Sequence, residues 1–467
     1  MNKSIIYFIF TLAVGISLSL SSCKKPLSFS GGNLDFSRDT VVFDTVFTTI
    51  GSVTKRFKIY NNSNKTLKID QIELIGGAAS PFRINVDGLS GTHFADLEIN
   101  KKDSLFIFVE VTLDPNNGTN PLVIEDRIKF RTNGSDQFVL LAAWGQDAYF
   151  HYKEKTTTDF TTWPNDKPHV IYNYFAIDSA HSLTIQQGTN IYLHKDALLF
   201  VDKGALNIQG TYGNEITFQG DRLESYYDDV PGQYYGIYFN KALPSSINYT
   251  VIKNGIAGIH MYSEDPSNTG YTLQLSNSVI FNNSSYGFFL FQGAKVKAEN
   301  CIIAKNGIHS LAVIGGGDFN FNHCHLIGYG TGENVSAAVG ISNWYNNSLL
   351  GQTEVSNINE GTITNSVIYG DVDNELAIDT ISDIAITLNF NLQYNLIKSS
   401  VVFSSSIFSN NLWNQEPLIK DIPLNDFHFW STSPMNNSGS LSFPTSNGMD
   451  LDQVVRSSPD IGAYEFL

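Results

Sequence analysis

A short phrase returns six times in the second half of the chain, and it restricts that half to an architecture built by repetition. It reads "NYTVIKNG" (248–255), "SNSVIFNN" (276–283), "ENCIIAKNG" (299–307), "NHCHLIGYG" (322–330), "TNSVIYGD" (364–371) and, more weakly, "QYNLIKSS" (393–400). Aligned on Tyr249, Asn277, Asn300, His323, Asn365 and Tyr394, the copies are spaced by 28, 23, 23, 42 and 29 residues. Units of this length, with insertions in some members, form solenoids, because each buries its apolar face only against its neighbours. A second phrase, Gly258-Ile259, Gly287-Phe288 and Ser310-Leu311, follows the anchor by nine or ten residues in three successive copies. Two strands around a tight polar turn in every unit exclude a helical repeat and predict stacked coils of β-strand.

Strand alternation then sorts the residues of each copy. Ile252, Ile280, Ile303, Leu326, Ile368 and Ile397 form one inward column. Two residues earlier, on the same face, stand Thr250, Ser278, Cys301, Cys324, Ser366 and Asn395. This register bears on "FNFNHCHLIGYG" (319–330), whose His323-Cys324-His325 has the composition of a zinc site. Cys324 is expected in the interior, as a small hydrophobe. His323 and His325 are expected to face outward or sit at the turn, so the three cannot converge on one ion; a surface pair of histidines is all that remains of the metal reading. Stacked at the ~4.8 Å strand spacing, Cys301 and Cys324 are also close enough for a disulfide, and free thiols or a bridge both remain open.

Coils of about 23 residues, turn asparagines and Val/Ile runs resemble the right-handed parallel β-helix of the pectate-lyase-like superfamily, over residues 170–426. "NDFHFWSTSPMNNSG" and "MDLDQVVRSSPDIGAYEF" resemble the end of many exported β-helix proteins, although Phe429 and Trp430 stand where a small aliphatic is usual. The resemblance implies that 427–467 is a cap over the last coil, protecting its strand edges. Upstream, residues 34–146 carry short alternating runs such as "KRFKIYN", "TLKIDQIEL" and "SLFIFVEVTLD", separated by turn clusters such as "NNSNK". That pattern predicts a β-sandwich, and it resembles the immunoglobulin-like modules of envelope proteins. Residues 147–169 read as a polar aromatic connector. The expected fold class is therefore all-β, an immunoglobulin-like β-sandwich followed by a right-handed parallel β-helix.

The N-terminus has a short basic start, an apolar run from Ile5 to about Leu20 and then Leu20-Ser21-Ser22-Cys23. Residues 1–22 read as a secretory signal, and Leu20-Ser21-Ser22-Cys23 resembles a bacterial lipobox. That resemblance implies a lipidated Cys23, with 23–33 ("KKPLSFSGGN" after the cysteine) as a tether. The expected location is the cell envelope, on the outer membrane, with the membrane as partner through the Cys23 anchor. A formal charge of −16 argues against nucleic acid as a partner.

The pectate-lyase-like superfamily contains lyases, hydrolases, epimerases and proteins without catalysis, so the fold alone gives no activity. The polygalacturonase motifs, paired Asp, Gly-His-Gly and Arg-Ile-Lys, do not occur together in residues 170–426: Gly-His-Gly is missing, and the one Arg-Ile-Lys, Arg127–Lys129, lies upstream. No acidic ladder like that of calcium-dependent lyases recurs in the strands. The richest candidate surface is "GDRLESYYDDVPGQYYGIYF" (220–239), in which Tyr226, Tyr227, Asp228, Asp229, Tyr234 and Tyr235 could bind a polysaccharide. Aromatic faces suit sugar rings, and the carboxylates suit hydroxyls or Ca2+; no other cofactor and no bound metal are expected. The reading at this stage is a glycan-binding or structural envelope protein without catalysis. The alternative is a polysaccharide lyase or glycoside hydrolase on the flank near Asp228.

Overall fold

The computed structural model describes residues 31–115, 122–263, 269–329, 336–402 and 405–466. The signal segment, Cys23 and most of the tether lie outside the described residues. The chain divides into two compact units, Met1–Gln146 and Asp147–Leu467.

The first unit is a sandwich of two five-stranded sheets. One runs in the order Asp35–Phe36, Lys55–Asn61, Asp103–Val111, Phe82–Val86, Leu89–Gly91. The other runs Thr40–Phe47, Ser135–Gln146, Leu122–Thr132, Leu67–Leu74, His93–Ile99, with its first pair parallel. The period-two pattern explains the pairing: Phe57, Ile59, Ile107 and Val109 from one sheet meet Ile69, Ile72, Ile128 and Phe130 from the other in one buried cluster.

The second unit is a parallel β-helix with three strand stacks. A polar-faced stack runs from Phe160–Trp163 to Leu388–Gln393 as a nine-stranded sheet. The other two stacks are joined in an 18-stranded sheet, one running from Asn190–Leu193 to Leu412–Trp413 and one from Tyr149–Lys155 to Leu376–Asp379. The aligned phrase falls in register as expected: Ile252, Ile280, Ile303, Leu326 and Ile368 pair in successive coils and are wholly buried with Ile397. Cys301 and Cys324 lie beneath them in the same core as free thiols. Burial and the neighbouring Cys324 thiol push the Cys301 thiol well above its usual range, so it behaves as a packed hydrophobe.

The anchor residues of the repeat have a backbone reason. Tyr249, Asn277, Asn300, His323, Asn365 and Tyr394 all adopt positive φ, between 42° and 56°, where the chain bends from one stack into the next. Asparagine tolerates this left-handed conformation best among non-glycine residues, and its amide bonds the coil beside it. Asn277 donates to Asn248 at 2.9 Å and Asn300 to Asn277 at 3.1 Å. His323 occupies one rung of this ladder, its Nε2 accepting from the Asn365 amide at 2.9 Å.

Three expectations need correction. Residues 147–169 are not a connector: Tyr149–Lys155 and Phe160–Trp163 are the opening strands of two stacks. Trp163, stacked 4.5 Å from His151 and 4.4 Å from His169 and set edge-on to Phe175, fills the interior there. Imidazole and indole rings replace the Val/Ile of later coils and hide the alternation. The segment from Phe427 onward lies along the flank of the coils. Phe427, Met435, Leu451, Ile461, Ala463 and Tyr464 pack on Ile302, Ile327, Val367 and Leu396, the outward residues of the middle stack. Finally, His323 and His325 are not exposed; only 1% and 0% of their surfaces reach solvent. Alternation does turn His325 outward, in the column Ile302–His325–Val367, but "DIGAYEF" roofs it. Ala463 N–H donates to His325 Nδ1 at 2.9 Å and Gly462 N–H to the Asn365 carbonyl at 2.7 Å. Gly462, at φ 101°, lies so close that a Cβ would stand 2.5 Å from the His325 ring.

Candidate functional site

The loop singled out in the sequence does not assemble. Tyr234 is a core residue without exposure, its hydroxyl donating to the Lys253 carbonyl at 2.9 Å and to Phe218 at 3.2 Å. Tyr226 projects into solvent at 78% exposure, and Tyr227 lies under the Arg222 guanidinium, 4.1 Å from its ring centre. Asp228 and Asp229 are exposed beyond a single 3-10 turn, Ser225–Tyr227. The loop backbone is fastened to the coils by Asn254, which donates to the Asp228 carbonyl at 2.8 Å, and by Gln233, which donates to Tyr227 and Val230. The position after Gly232 therefore anchors a flank, and the tyrosines point in different directions. Among the described residues no group of three or more His, Cys, Asp or Glu side chains is arranged to hold a metal ion.

Only Tyr235 joins a more organised surface, the outward face of the third stack. There the register places Phe200, Tyr238, His260 and Phe289 in one column over four successive coils. Their rings stand 5.4, 4.5 and 4.7 Å apart, the first and last pairs stacked and the middle pair edge-to-face. The Tyr235 hydroxyl and His260 Nδ1 share a hydrogen bond at 2.7 Å. Burial among these rings pushes the His260 imidazole down to about 4, so it is neutral at physiological pH. Tyr262 and Phe291 form a parallel column, and Tyr345, from the hairpin Trp344–Asn347/Gln352–Val355, meets Phe291 edge-on at 5.0 Å.

At its N-terminal end the ladder is broken. The column continues Lys155–Ala176–Phe200, and the small Ala176 side chain leaves a cleft of about 440 Å³. Its walls are Lys155, Tyr174, Asp178, Leu198, Phe200 and Asp202. Phe200 stacks on Tyr238 with one side, and its other side borders the cleft. Asp178 is bound to Lys155 at 2.7 Å, and that hydrogen bond, more than any other influence, holds its carboxyl below the usual range. Asp202 accepts from the Asn240 amide at 2.7 Å. The cleft thus offers one unshared aromatic surface, half-exposed Tyr174 beside it and two carboxylates with vacant acceptor capacity. A comparable cleft of about 410 Å³ on the sandwich is different. Its Arg83 is spent on the Ser80 and Phe82 carbonyls and its Glu110 accepts from Thr54.

Sequence reasoning missed these residues although their signal was present. Two ladder residues directly follow the inward residue of the second repeat phrase: His260 after Ile259, Phe289 after Phe288. Extending that alignment by one position would have shown aromatics leaving the core in consecutive coils.

Residues 163–326, roughly a third of the chain, match the family model described as a right handed beta helix region. This agrees with the parallel stacks and gives the solenoid its hand. No curated protein matches the chain. Among the solved structures that overlap it in part are the following two. One is a family 123 glycoside hydrolase from Clostridium perfringens, studied for glycolipid glycan hydrolysis. It is 8% identical over 25% of this chain, at a TM-score of 0.17, and this chain spans only 26% of it. The other is the PapD-like domain 7 of human CEP192, 10% identical over 27% of this chain and 96% of that one, at 0.18. At these TM-scores neither overlap carries an argument.

Proposed function

We propose that this β-helix protein is an exported lipoprotein of the cell envelope, held on the outer membrane by acyl chains on Cys23, whose solenoid binds glycans without catalysis. The N-terminal sandwich, immunoglobulin-like in its strand pattern, acts as a spacer. The observation that carries the binding role is the Ala176 cleft, where a free aromatic surface lies beside two hydroxyl-accepting carboxylates. A glycoside hydrolase needs a carboxylic acid held protonated as well as a base. In this cleft the shift at Asp178 runs downward. The carboxyls displaced upward that the described residues contain, Glu375, Asp450, Asp460 and Glu465, serve backbone amides or Arg456 elsewhere.

A glycan array followed by calorimetry tests the binding role. The wild-type protein is expected to retain at least one glycan class, and Phe200→Ala to weaken that binding about tenfold, the size of one aromatic contact. Undiminished binding in Phe200→Ala and Tyr174→Ala would remove the cleft from the reading. Release of reducing or unsaturated ends would replace it with the lyase or hydrolase alternative. For the anchor, Cys23→Ala is expected to abolish incorporation of labelled fatty acid and move the protein to the soluble fraction.

A further inference from the structure

The Ala176 cleft carries information about the charge of its ligand, and the inference drawn from it rests on the glycan-binding reading above. We infer that the cleft recognises one uncharged pyranose residue at a time and rejects uronates and other anionic sugars.

The cation in the lining, Lys155, is committed to Asp178 at 2.7 Å. Asp178 takes one of the three N–H donors of Lys155, so a uronate carboxylate that reached the others would still sit beside Asp178 and Asp202, two anions against one cation in the lining. Asp202, on the neighbouring coil, is held by an amide, not by a cation, so its negative charge stays uncompensated at the cleft wall. Lys203 and Lys241 follow at the exposed corners beyond Asp202 and Asn240, outside the lining. The adjacent ladder adds no positive charge: its imidazole, His260, is neutral and its Nδ1 is filled by Tyr235. Two carboxylates accept hydrogen bonds and donate none, so they suit the hydroxyl groups of a neutral sugar and repel a second anion. Phe200 supplies the apolar surface for the ring's C–H face.

The same geometry limits the site to one sugar ring. Tyr238 and His260 spend their faces within the ladder at 4.5–5.4 Å, and Phe289 is stacked on His260 and on Tyr286, each at 4.7 Å. Only the cleft side of Phe200 is left for a ligand, and additional sugar residues along the ladder would meet ring edges.

The test is calorimetry on the intact purified protein with three sets of probes: neutral hexose oligosaccharides of one to six residues, N-acetylhexosamine oligosaccharides, and oligouronates, each at low and physiological salt. Neutral probes are expected to bind with little dependence on salt, with affinity that does not rise from one residue to six. Oligouronates are expected at least about tenfold weaker. Asp202→Asn, which keeps the shape and removes the charge, is expected to narrow that gap about threefold or more by improving uronate binding. Its thermal unfolding curve, matched to wild type, confirms that the fold is kept. Uronate binding equal to or tighter than neutral binding, salt-sensitive and lost in Lys155→Ala, would overturn the inference and leave the glycan reading intact. Failure of every probe to bind would overturn the glycan reading, and the inference with it.

Discussion

Two faces of the same solenoid send apolar side chains outward, and they have opposite fates. On the middle stack Ile302, Ile327, Val367 and Leu396 leave the interior and are buried again beneath the C-terminal segment. On the third stack Phe200, Tyr238, His260 and Phe289 leave the interior and remain partly exposed, covered by one another and by the neighbouring rings of Tyr235 and Tyr286. The difference shows that alternation identifies which residues leave the core, while the fate of an outward residue depends on chain that arrives from far along the sequence. Where that chain arrives, the face becomes a second core. Where it does not, aromatic self-stacking hides part of the apolar surface and the gap at Ala176 is available to a ligand.

The most damaging way to break this contrast is to unlock the cover. Arg456 is buried, donates to Asn300 Oδ1 and the Gly462 carbonyl at 3.0 Å each, and pairs with Glu465. Arg456→Ala leaves Glu465, Asp450 and Asp460 without their buried cation, and a loss of about 3–5 kcal/mol is expected in urea unfolding. Hydrogen exchange should rise at Ile302 and Ile327 and not at Tyr238; equal protection on both faces would mean that the cover is dispensable.

A matched pair of truncations measures the two faces directly. Ile327→Ala, beneath the cover, should cost about 2–4 kcal/mol as a cavity mutation. Phe289→Ala, on the open face, should cost roughly 1–2 kcal/mol despite removing a larger side chain, because part of that ring already meets water. The reverse order would erase the distinction between second core and open ladder.

Acid sharpens the contrast through the roofed histidine. Burial depresses His325 to about 3, from an ordinary value of 6.5. A depressed value means that the unfolded chain binds the extra proton first, so this contribution to stability is complete above pH 6.5 and fades as pH falls toward 3. Glu465, raised by burial to about 7, has the opposite sign: its contribution is present at low pH and lost as pH rises through 7. Replacing His325 with Asn should therefore flatten the fall in stability between pH 6.5 and 4 by up to about 1.4 kcal/mol per pH unit. An unchanged slope in denaturant midpoints taken across that range would show that the cover already opens in acid.

The smallest expected change is at the residue with the most suggestive composition. His323→Asn places the ladder's own residue at φ 52°, so stability should stay within about 0.5 kcal/mol of wild type. His323→Val, β-branched in a left-handed corner, should cost about 1–2 kcal/mol in the same melting experiment. Equal losses in both would point to a specific role for the imidazole beyond the corner.

Much of the architecture was legible because a solenoid repeats its instructions. The Ile column and the small polar column with Cys301 and Cys324 both follow from period-two alternation applied to aligned copies. The first coil was not legible, since His151, Trp163 and His169 perform the packing that Val and Ile perform later. Nor was the site: clustering in the sequence drew attention to Tyr226–Tyr235, where adjacent residues diverge in space. The ladder residues, 22 to 38 positions apart in sequence, converge because neighbouring coils bring them together.

By itself the sequence determined the coil, its register and its interior, because those depend on local alternation and on a left-handed corner that asparagine accepts. Only the tertiary structure decided that His325 is buried, that the C-terminal motif roofs a flank, and that Ala176 opens beside Phe200. Each of those depends on contacts between coils or on the returning chain, and these are set by the stacking geometry and not by neighbours in sequence.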